Sequence, residues 1–188
     1  MHVKEAMLKY GKYTYADYAS WDDEDRCELI DGVVYNMSSP SQAHQRMSME
    51  ISGQLWTLLK GKTCEVFPAP FDVCLNGLGD KDETVVQPDI IVVCDKSKLD
   101  GKKCNGAPDL VIEILSPSTL SLDKVIKYNK YLQTGVKEYW VIDPVEKTVI
   151  VHLLENGKFV TSAYGPTGTI PVSVLDDCTI SADDLFGE

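Results

Sequence analysis

Two apolar runs constrain the fold of this chain more than any other feature. Residues 84–94 read TVVQPDIIVVC and residues 108–116 read PDLVIEILS, and both are rich in β-branched residues. Nearly continuous runs of this kind are typical of strands that are buried on both faces. Each run also holds one carboxylate in the middle of its apolar residues, Asp89 in the first and Glu113 in the second. The chain must therefore build a covered sheet that accommodates two acidic side chains.

Helices that could cover such a sheet are predicted on either side of these runs. Ser39 is expected to cap a helix with Pro40 at its first position, and apolar residues then recur at helical spacing to about Lys60. A second helix is predicted from Ser116 to about Thr134, before a strand at KEYWVIDP. A helix between two strands predicts one parallel β-helix-β crossover.

Tight-turn dipeptides predict additional hairpins outside this arrangement. Asp31-Gly32 separates two short strands, and Asn156-Gly157 separates two longer ones. The predicted fold class is therefore α/β, with a mixed β-sheet flanked by helices and extra β-hairpins. The length of 188 residues predicts one domain over residues 1–188.

Composition narrows the expected environment and partners. The net charge of −11 excludes a uniformly basic nucleic-acid coat, but eight lysines against four acids lie in residues 96–137. No run approaches a membrane span and no apolar leader is present, so a cytoplasmic protein without membrane contact is expected. The six cysteines form no C-x-x-C pair and are expected to be reduced and buried. Trp56 and Trp140 are expected in the core.

Asp89 and Glu113 permit two interpretations that the pattern alone does not separate. A buried, unpaired carboxylate costs several kcal/mol or shifts its pKa. Each could pair with Lys or Arg, or reach water at a strand end. Alternatively, both could hold a divalent cation, which prefers hard oxygen ligands.

The helix after Glu113 brings basic residues close in sequence. Lys124, Lys127 and Tyr131 share one face of this helix, which begins just beyond the strand. A solvated lysine face is the usual meaning of such a pattern, and Tyr131 is expected to pack with a polar tip. A core-facing stripe is predicted from Leu122, Val125, Ile126 and Leu132.

These motifs together resemble a known family over about residues 14–185. Asp89, Glu113 and a downstream lysine resemble the PD-(D/E)XK nuclease superfamily. A larger set of blocks is similar to the family catalogued as putative restriction endonucleases, formerly a domain of unknown function. These blocks are ELIDG at 28–32, SP-x-x-x-H at 39–44, PDIIVV at 88–93, DLVIEILSPST at 109–119, D-x-x-x-K at 123–127 and GVKEYWVIDP at 135–144.

The resemblance implies a restriction-endonuclease-like fold and a metal-dependent site. Asp89 and Glu113 would bind Mg²⁺ or Mn²⁺, with the backbone carbonyl of Ile114 as a third ligand and Glu28 as a further one. His44 would contact phosphate or metal-bound water, although alone it is read as a surface or capping residue. Leu115 stands where the superfamily has its lysine, so the catalytic lysine moves to the helix, as Lys127 or its competitor Lys124.

The implied activity is that of a metal-dependent endonuclease acting on phosphodiester bonds, most readily those of DNA. DNA is the expected partner, contacted through the basic residues 96–137, and a homodimer is expected by analogy of fold. One alternative is an inactive module of the same fold that binds DNA or protein. A further alternative is a Mg²⁺-dependent hydrolase of small phosphate esters.

Overall fold

The computed structural model describes residues 12–21, 26–116 and 122–187, with the backbone alone at 122–124. The chain forms two compact units that are each assembled from three segments. One contains residues 1–39, 70–87 and 97–107, and the other contains residues 40–69, 88–96 and 108–188. The single domain expected over residues 1–188 stays a prediction.

In the described residues, short strands alternate with a small number of helices. The strands are β1 (Cys27–Ile30), β2 (Val33–Asn36), β3 (Glu65–Pro68), β4 (Val73–Cys74), β5 (Val85–Val86), β6 (Ile90–Val93), β7 (Cys104–Asn105), β8 (Leu110–Ile114), β9 (Glu138–Asp143), β10 (Thr148–Glu155), β11 (Lys158–Tyr164), β12 (Thr169–Pro171) and β13 (Thr179–Ser181). The helices are α1 (Tyr15–Tyr18), α2 (Gln42–Leu59), α3 (Tyr128–Thr134) and α4 (Ala182–Phe186). A π-helical turn, Leu122–Lys127, leads into α3, and 3₁₀ turns span Gly79–Lys81 and Lys96–Lys98.

The first unit is a five-stranded sheet with the order β2-β1-β5-β4-β7, together with helix α1. Strands β1 and β2 form the hairpin expected around Asp31-Gly32. Both turn residues have positive φ, 51° and 78°, as a tight two-residue hairpin turn requires. The hairpin prediction is therefore confirmed. The hairpin could be predicted from the sequence because a two-residue turn depends on local backbone geometry.

The second unit is a six-stranded sheet with the order β11-β10-β9-β8-β6-β3, joined by the small β12-β13 pair and the longer helices. Strands β8 and β9 are parallel and are connected through α3, which confirms the predicted crossover. Strand β6 is antiparallel to β8, and β10 and β11 form the hairpin expected around Asn156-Gly157.

Helix α2 covers this six-stranded sheet with its predicted apolar face. Met47, Ile51, Leu55 and Leu59 are buried and pack in one core cluster with the strands. The helix begins two residues later than expected. Ser41, rather than Ser39, is the N-cap, and its Oγ accepts a hydrogen bond from the His44 backbone N–H at 3.2 Å.

The first of the two apolar runs is not one strand, contrary to the prediction. It divides at Gln87–Asp89, so that β5 belongs to the sheet of the first unit and β6 to that of the second. Pro88 lies at the division. Proline has no N–H to donate to a ladder, and it therefore interrupts strand pairing. The second run forms β8, and all five of its residues are buried.

Three other expectations are corrected by the structure. Val125 is 60% exposed and Trp56 is 65% exposed, whereas Trp140 is fully buried as expected. The π-helical turn changes the angular position of each residue, so an α-helical stripe drawn through Val125 does not apply. Cys64 and Cys94 form a disulfide, while Cys27, Cys74, Cys104 and Cys178 are buried and form no disulfide. The bonded pair continues the β3–β6 register by one residue, which sets the two cysteines side by side.

Within the described residues, no helix combines the length and the apolar character needed to cross a bilayer.

A buried glutamate in the second unit gives a test of how the core responds to pH. Glu138 is fully buried, and burial raises the pKa of its carboxyl above the ordinary value of 4.5. Hydrogen bonds from Trp140 Nε1 at 2.6 Å and from the Val174 N–H at 2.9 Å oppose that shift. Because the folded state holds the proton more tightly, this contribution to stability is present below pH 4.5 and is lost as pH rises through the folded pKa.

We expect Glu138→Gln to change the pH profile of stability accordingly. The free energy of unfolding of the wild type, minus that of Glu138→Gln, should fall as pH rises between about 4.5 and 8. Urea unfolding at a series of pH values measures this difference, with Glu155→Gln, at the exposed end of β10, as the control. A difference that is constant or that rises over this range would contradict the assignment.

Candidate active site

Asp89 lies directly before β6, where its carboxylate is held by two neighbours. Its Oδ2 accepts a hydrogen bond from the Ile114 backbone N–H at 2.7 Å. The Nε2 of buried His44 lies 3.1 Å from the same oxygen. The tautomer of His44 that carries its proton on Nε2 would donate to this carboxylate oxygen. Asp89 is thereby tied both to the end of β8 and to the first turn of α2.

Glu113 lies on β8, and helix α3 with its preceding turn supplies two donors to it. Lys127 Nζ donates to Glu113 Oε1 at 2.8 Å, and the Tyr131 hydroxyl donates to the same oxygen at 2.7 Å. The Lys127 and Glu113 side chains are only 4% and 5% exposed. The apolar strand thus carries a charge-neutral buried pair rather than an isolated charge.

The strand register brings the two carboxylates to the same place in the sheet. Strands β6 and β8 are antiparallel, with Ile90 opposite Ile112 and Ile91 opposite Val111. Extending this register by one residue sets Asp89 opposite Glu113. Residues directly opposite in an antiparallel pair have Cβ atoms roughly 4.5–5.5 Å apart and share one face of the sheet. The register of β6 against β8 therefore places these two carboxylates side by side.

The donor set of this cluster suits some cations better than others. Among the described residues, no group of three or more His, Cys, Asp or Glu side chains is placed to hold a metal ion. A structural zinc site is therefore not formed by this part of the chain. Mg²⁺ needs fewer protein ligands, since it is usually bound through one or two carboxylates together with water and substrate phosphate. Asp89 and Glu113 fit that requirement.

A model of the family named Uma2, described as "Putative restriction endonuclease", matches residues 15–182. The chain belongs to the Uma2 family. Two curated relatives, both uncharacterized proteins of Synechocystis sp., are similar over much of their length. One is 25% identical over 159 residues, covering 82% of each chain, and the other is 24% identical over 135 residues, covering 69% of this chain and 74% of its own.

A solved structure shows that this Uma2 chain has a known fold. The crystal structure of a putative nuclease belonging to DUF820, from Anabaena variabilis, superposes with a TM-score of 0.73 at 24% identity. The match covers 92% of this chain and 97% of that one. The predicted fold class is confirmed: a nuclease-like mixed α/β fold with helices beside the sheet and additional hairpins.

A lysine reaches Glu113 from the helical segment after β8, and position 115, where the superfamily has its lysine, holds Leu115. Leu115 is 6% exposed and apolar, so it offers no charge to the cluster. Lys127 contacts Glu113 directly, while the side chain of Lys124 lies outside the described residues. The sequence prediction of Lys127 next to Glu113 agrees with this geometry, and its catalytic role stays a prediction.

The five predicted site residues are divided between the two units. Asp89, Glu113, His44 and Lys127 all belong to the second unit. Glu28 belongs to the first, where it is 1% exposed and its Oε1 accepts a hydrogen bond from the Gln87 backbone N–H at 2.9 Å. The role of Glu28 as an additional metal ligand stays a prediction.

Tyr131 is the residue of this cluster that sequence reasoning assigned to packing. It is fully buried, and its ring packs edge-on against Tyr139 with centroids 4.9 Å apart. Its hydroxyl nevertheless contacts the proposed metal ligand Glu113. The available signal was its position four residues after Lys127, since residues at this spacing share one side of a helix.

Tyr131→Phe is expected to lower the free energy of unfolding by about 1.5–3 kcal/mol, because a buried hydrogen bond to a charged group is lost. Urea unfolding measures the change. Tyr128→Phe is a matched control on the same helix, because its ring packs against His152 and Phe159. Equal losses in both variants would show that the hydroxyl of Tyr131 contributes nothing beyond ring packing.

Proposed function

We propose that this Uma2 chain is a metal-dependent endonuclease that hydrolyses phosphodiester bonds in DNA. The observation that carries the proposal is that Asp89 and Glu113 lie opposite each other on neighbouring strands. Lys127 binds Glu113, and His44 contacts Asp89. Two carboxylates can hold a cation that assists phosphodiester cleavage, and a lysine beside them can stabilise charge that develops on the phosphate. A sheet built for stability alone gains little from the buried Glu113, or from Asp89, whose side chain is only 18% exposed.

Asp89, Glu113 and the Ile114 backbone carbonyl are proposed to hold Mg²⁺ or Mn²⁺. The N–H and C=O of a strand residue point toward the same neighbouring strand. Because the Ile114 N–H donates to Asp89, the Ile114 carbonyl is expected on the same side of β8 as Asp89. The bound cation would lower the pKa of a water molecule and neutralise negative charge that develops on the phosphate.

The remaining residues have roles that follow from their contacts. Lys127 is proposed to transfer its hydrogen bond from Glu113 to a phosphate oxygen when the carboxylate binds the cation. His44 and the Ile114 N–H both bind Asp89 Oδ2, and they would keep that carboxylate oriented toward the site. Tyr131 would hold Glu113 in place through its hydroxyl.

The proposed DNA contact is best supported near helix α2. A concave pocket of about 280 Å³ is lined by Arg46 and Lys147 together with Gln42. Gln42 and Arg46 flank His44 on the first turns of α2, so this positive pocket lies at the end of the helix that carries the site. Phosphate groups beside a scissile bond are commonly bound by such cations.

The basic stretch 96–137 offers less open charge than its composition suggested. Five of its eight lysines already donate to carboxylates or carbonyls within the chain. These five are Lys96, Lys98, Lys103, Lys127 and Lys137. DNA binding through this stretch therefore stays a proposal, as does a homodimer that would place two sites on opposite strands.

A nicking assay tests the proposed function. The purified chain is incubated with supercoiled plasmid in Mg²⁺, in Mn²⁺ and in EDTA, and in parallel with nucleotides and a small phosphate ester. We expect metal-dependent nicking of plasmid and no turnover of the small substrates. Turnover of the small esters alone would favour the phosphate-ester hydrolase. Absence of cleavage, with no difference in Mn²⁺ affinity between wild type and Glu113→Ala, would favour an inactive module.

A further inference from the structure

Trp56 is the one tryptophan of the described residues that faces solvent. It is 65% exposed, whereas Trp21 and Trp140 are 8% and 0% exposed. Large aromatic side chains on a surface are unfavourable in water and are enriched where proteins bind partners. Trp56 lies near the end of α2, and the apolar face that packs on the sheet does not include it. Its position is thus not explained by the core.

Trp56 forms one wall of a cleft between the end of α2 and the edge strand β3. The cleft has a volume of about 300 Å³, at the lower end of the range for ligand sites. Its apolar surface includes Leu59, Val66 and Phe67. The disulfide Cys64–Cys94 links the residue before β3 to the residue after β6, so it fixes the β3 side of the cleft.

The rim of the cleft is basic although the whole chain is strongly acidic. Lys60, Lys62 and Lys96 line it, against one acid, Glu65. Lys96 pairs with Glu65 at 2.7 Å, and Lys62 donates to the Asp176 carbonyl at 3.3 Å. With the Glu65 charge balanced by Lys96, two positive charges remain around the aromatic wall. A chain with a net charge of −11 thus presents here a local site for an anion.

This cleft is separate from the candidate active site. Strand β3 pairs with β6 so that Pro68 is opposite Ile90, next to Asp89, while Glu65 is opposite Val93. The cleft therefore lies at the end of β6 that is distant from Asp89. On helix α2, Trp56 follows His44 by twelve residues, which corresponds to about 18 Å along the axis.

We propose that this cleft binds single-stranded nucleic acid, with a base stacked on Trp56 and the adjoining phosphates bound by Lys60 and Lys62. An aromatic side chain beside lysines is the arrangement that proteins use for unpaired strands, because every base has a π-face and every nucleotide a charge. In a duplex the base faces are occupied by their neighbours, so duplex DNA cannot use the aromatic wall.

Binding of a fluorescein-labelled oligo-dT of eight nucleotides, followed by anisotropy in EDTA, tests the site. Trp56→Leu is expected to weaken binding by about 5- to 150-fold, since stacking is worth roughly 1–3 kcal/mol per base. Trp56→Phe should recover part of that loss. Met49→Ala is the matched control, because Met49 is 74% exposed on the same helix but does not line the cleft.

The charge contribution is measured separately. Lys60→Ala is expected to reduce the slope of log K against log salt concentration by about 0.7, the value for one phosphate contact on a single strand. A duplex of the same length and an acidic peptide serve as competitors, and both should displace the oligonucleotide poorly.

Three outcomes would overturn the proposal: equal binding by Trp56→Leu and Met49→Ala, equal affinity for duplex and single strand, or effective competition by the acidic peptide. Because EDTA removes divalent cations, the result does not depend on cleavage. Plasmid nicking by Asp89→Asn reports on the nuclease proposal, and oligonucleotide binding by Trp56→Leu in EDTA reports on this one, so the failure of one is distinguishable from the failure of the other.

Discussion

Asp89→Asn is expected to abolish metal-dependent plasmid nicking, lowering its rate by about 10³-fold or more. A cation bound at a cleavage site contributes several kcal/mol to transition-state stabilisation, and each 1.36 kcal/mol corresponds to a factor of ten. Removing one of two carboxylates takes away the charge that would hold the cation. Nicking rates at increasing Mn²⁺ measure the effect, and higher Mn²⁺ is expected to recover little of it.

The Asp89→Asn protein is expected to fold. An asparagine Oδ1 can still accept the Ile114 N–H that Asp89 Oδ2 accepts at 2.7 Å. Urea unfolding should therefore show a much smaller change than the change in rate. Glu155→Gln is the control for loss of one carboxylate charge, since Glu155 is exposed at the far end of β10. Wild-type nicking and an unchanged Mn²⁺ dependence in Asp89→Asn would remove Asp89 from the site.

Substitutions of Lys127 and Glu113 are expected to have strongly non-additive effects on the free energy of unfolding. Glu113→Gln or Lys127→Met alone should lower the free energy of unfolding by about 3–5 kcal/mol, because each leaves an uncompensated charge in a buried place. The two side chains are only 4% and 5% exposed, so water cannot solvate the remaining partner. The double variant removes both charges and should recover most of the lost free energy of unfolding. The Tyr131 hydroxyl can still donate to the amide oxygen that Glu113→Gln introduces.

A double-mutant cycle by urea unfolding measures this coupling. Additive losses, with the double variant as unstable as the sum of the single ones, would show that the ion pair contributes nothing specific. Cleavage is expected to be lost in all three variants, even where stability returns. Recovered stability without recovered activity would separate the requirement of the fold from the requirement of the chemistry.

Parts of the fold that depend on neighbouring residues were predictable from the sequence. The Asp31-Gly32 and Asn156-Gly157 turns follow from backbone conformations that these residues adopt readily. The buried face of α2 follows from helical spacing, and β8 follows from a continuous apolar run. Other elements needed distant contacts. Pro88 ended one strand and allowed β6 to join a different sheet, and the π-helical turn moved Val125 to the surface.

The candidate site shows the same division. The sequence by itself singled out the residues that are proposed to carry the chemistry: Asp89 and Glu113 stand inside apolar runs, and Lys127 follows in the next helical segment. Only the tertiary structure decided that Asp89 is opposite Glu113, that His44 binds Asp89, and that Tyr131 binds Glu113. Residue type and spacing reflect local conformational preference, whereas strand register and helix placement are set by packing between residues far apart in the chain. The side-chain contacts of the site arise from that packing.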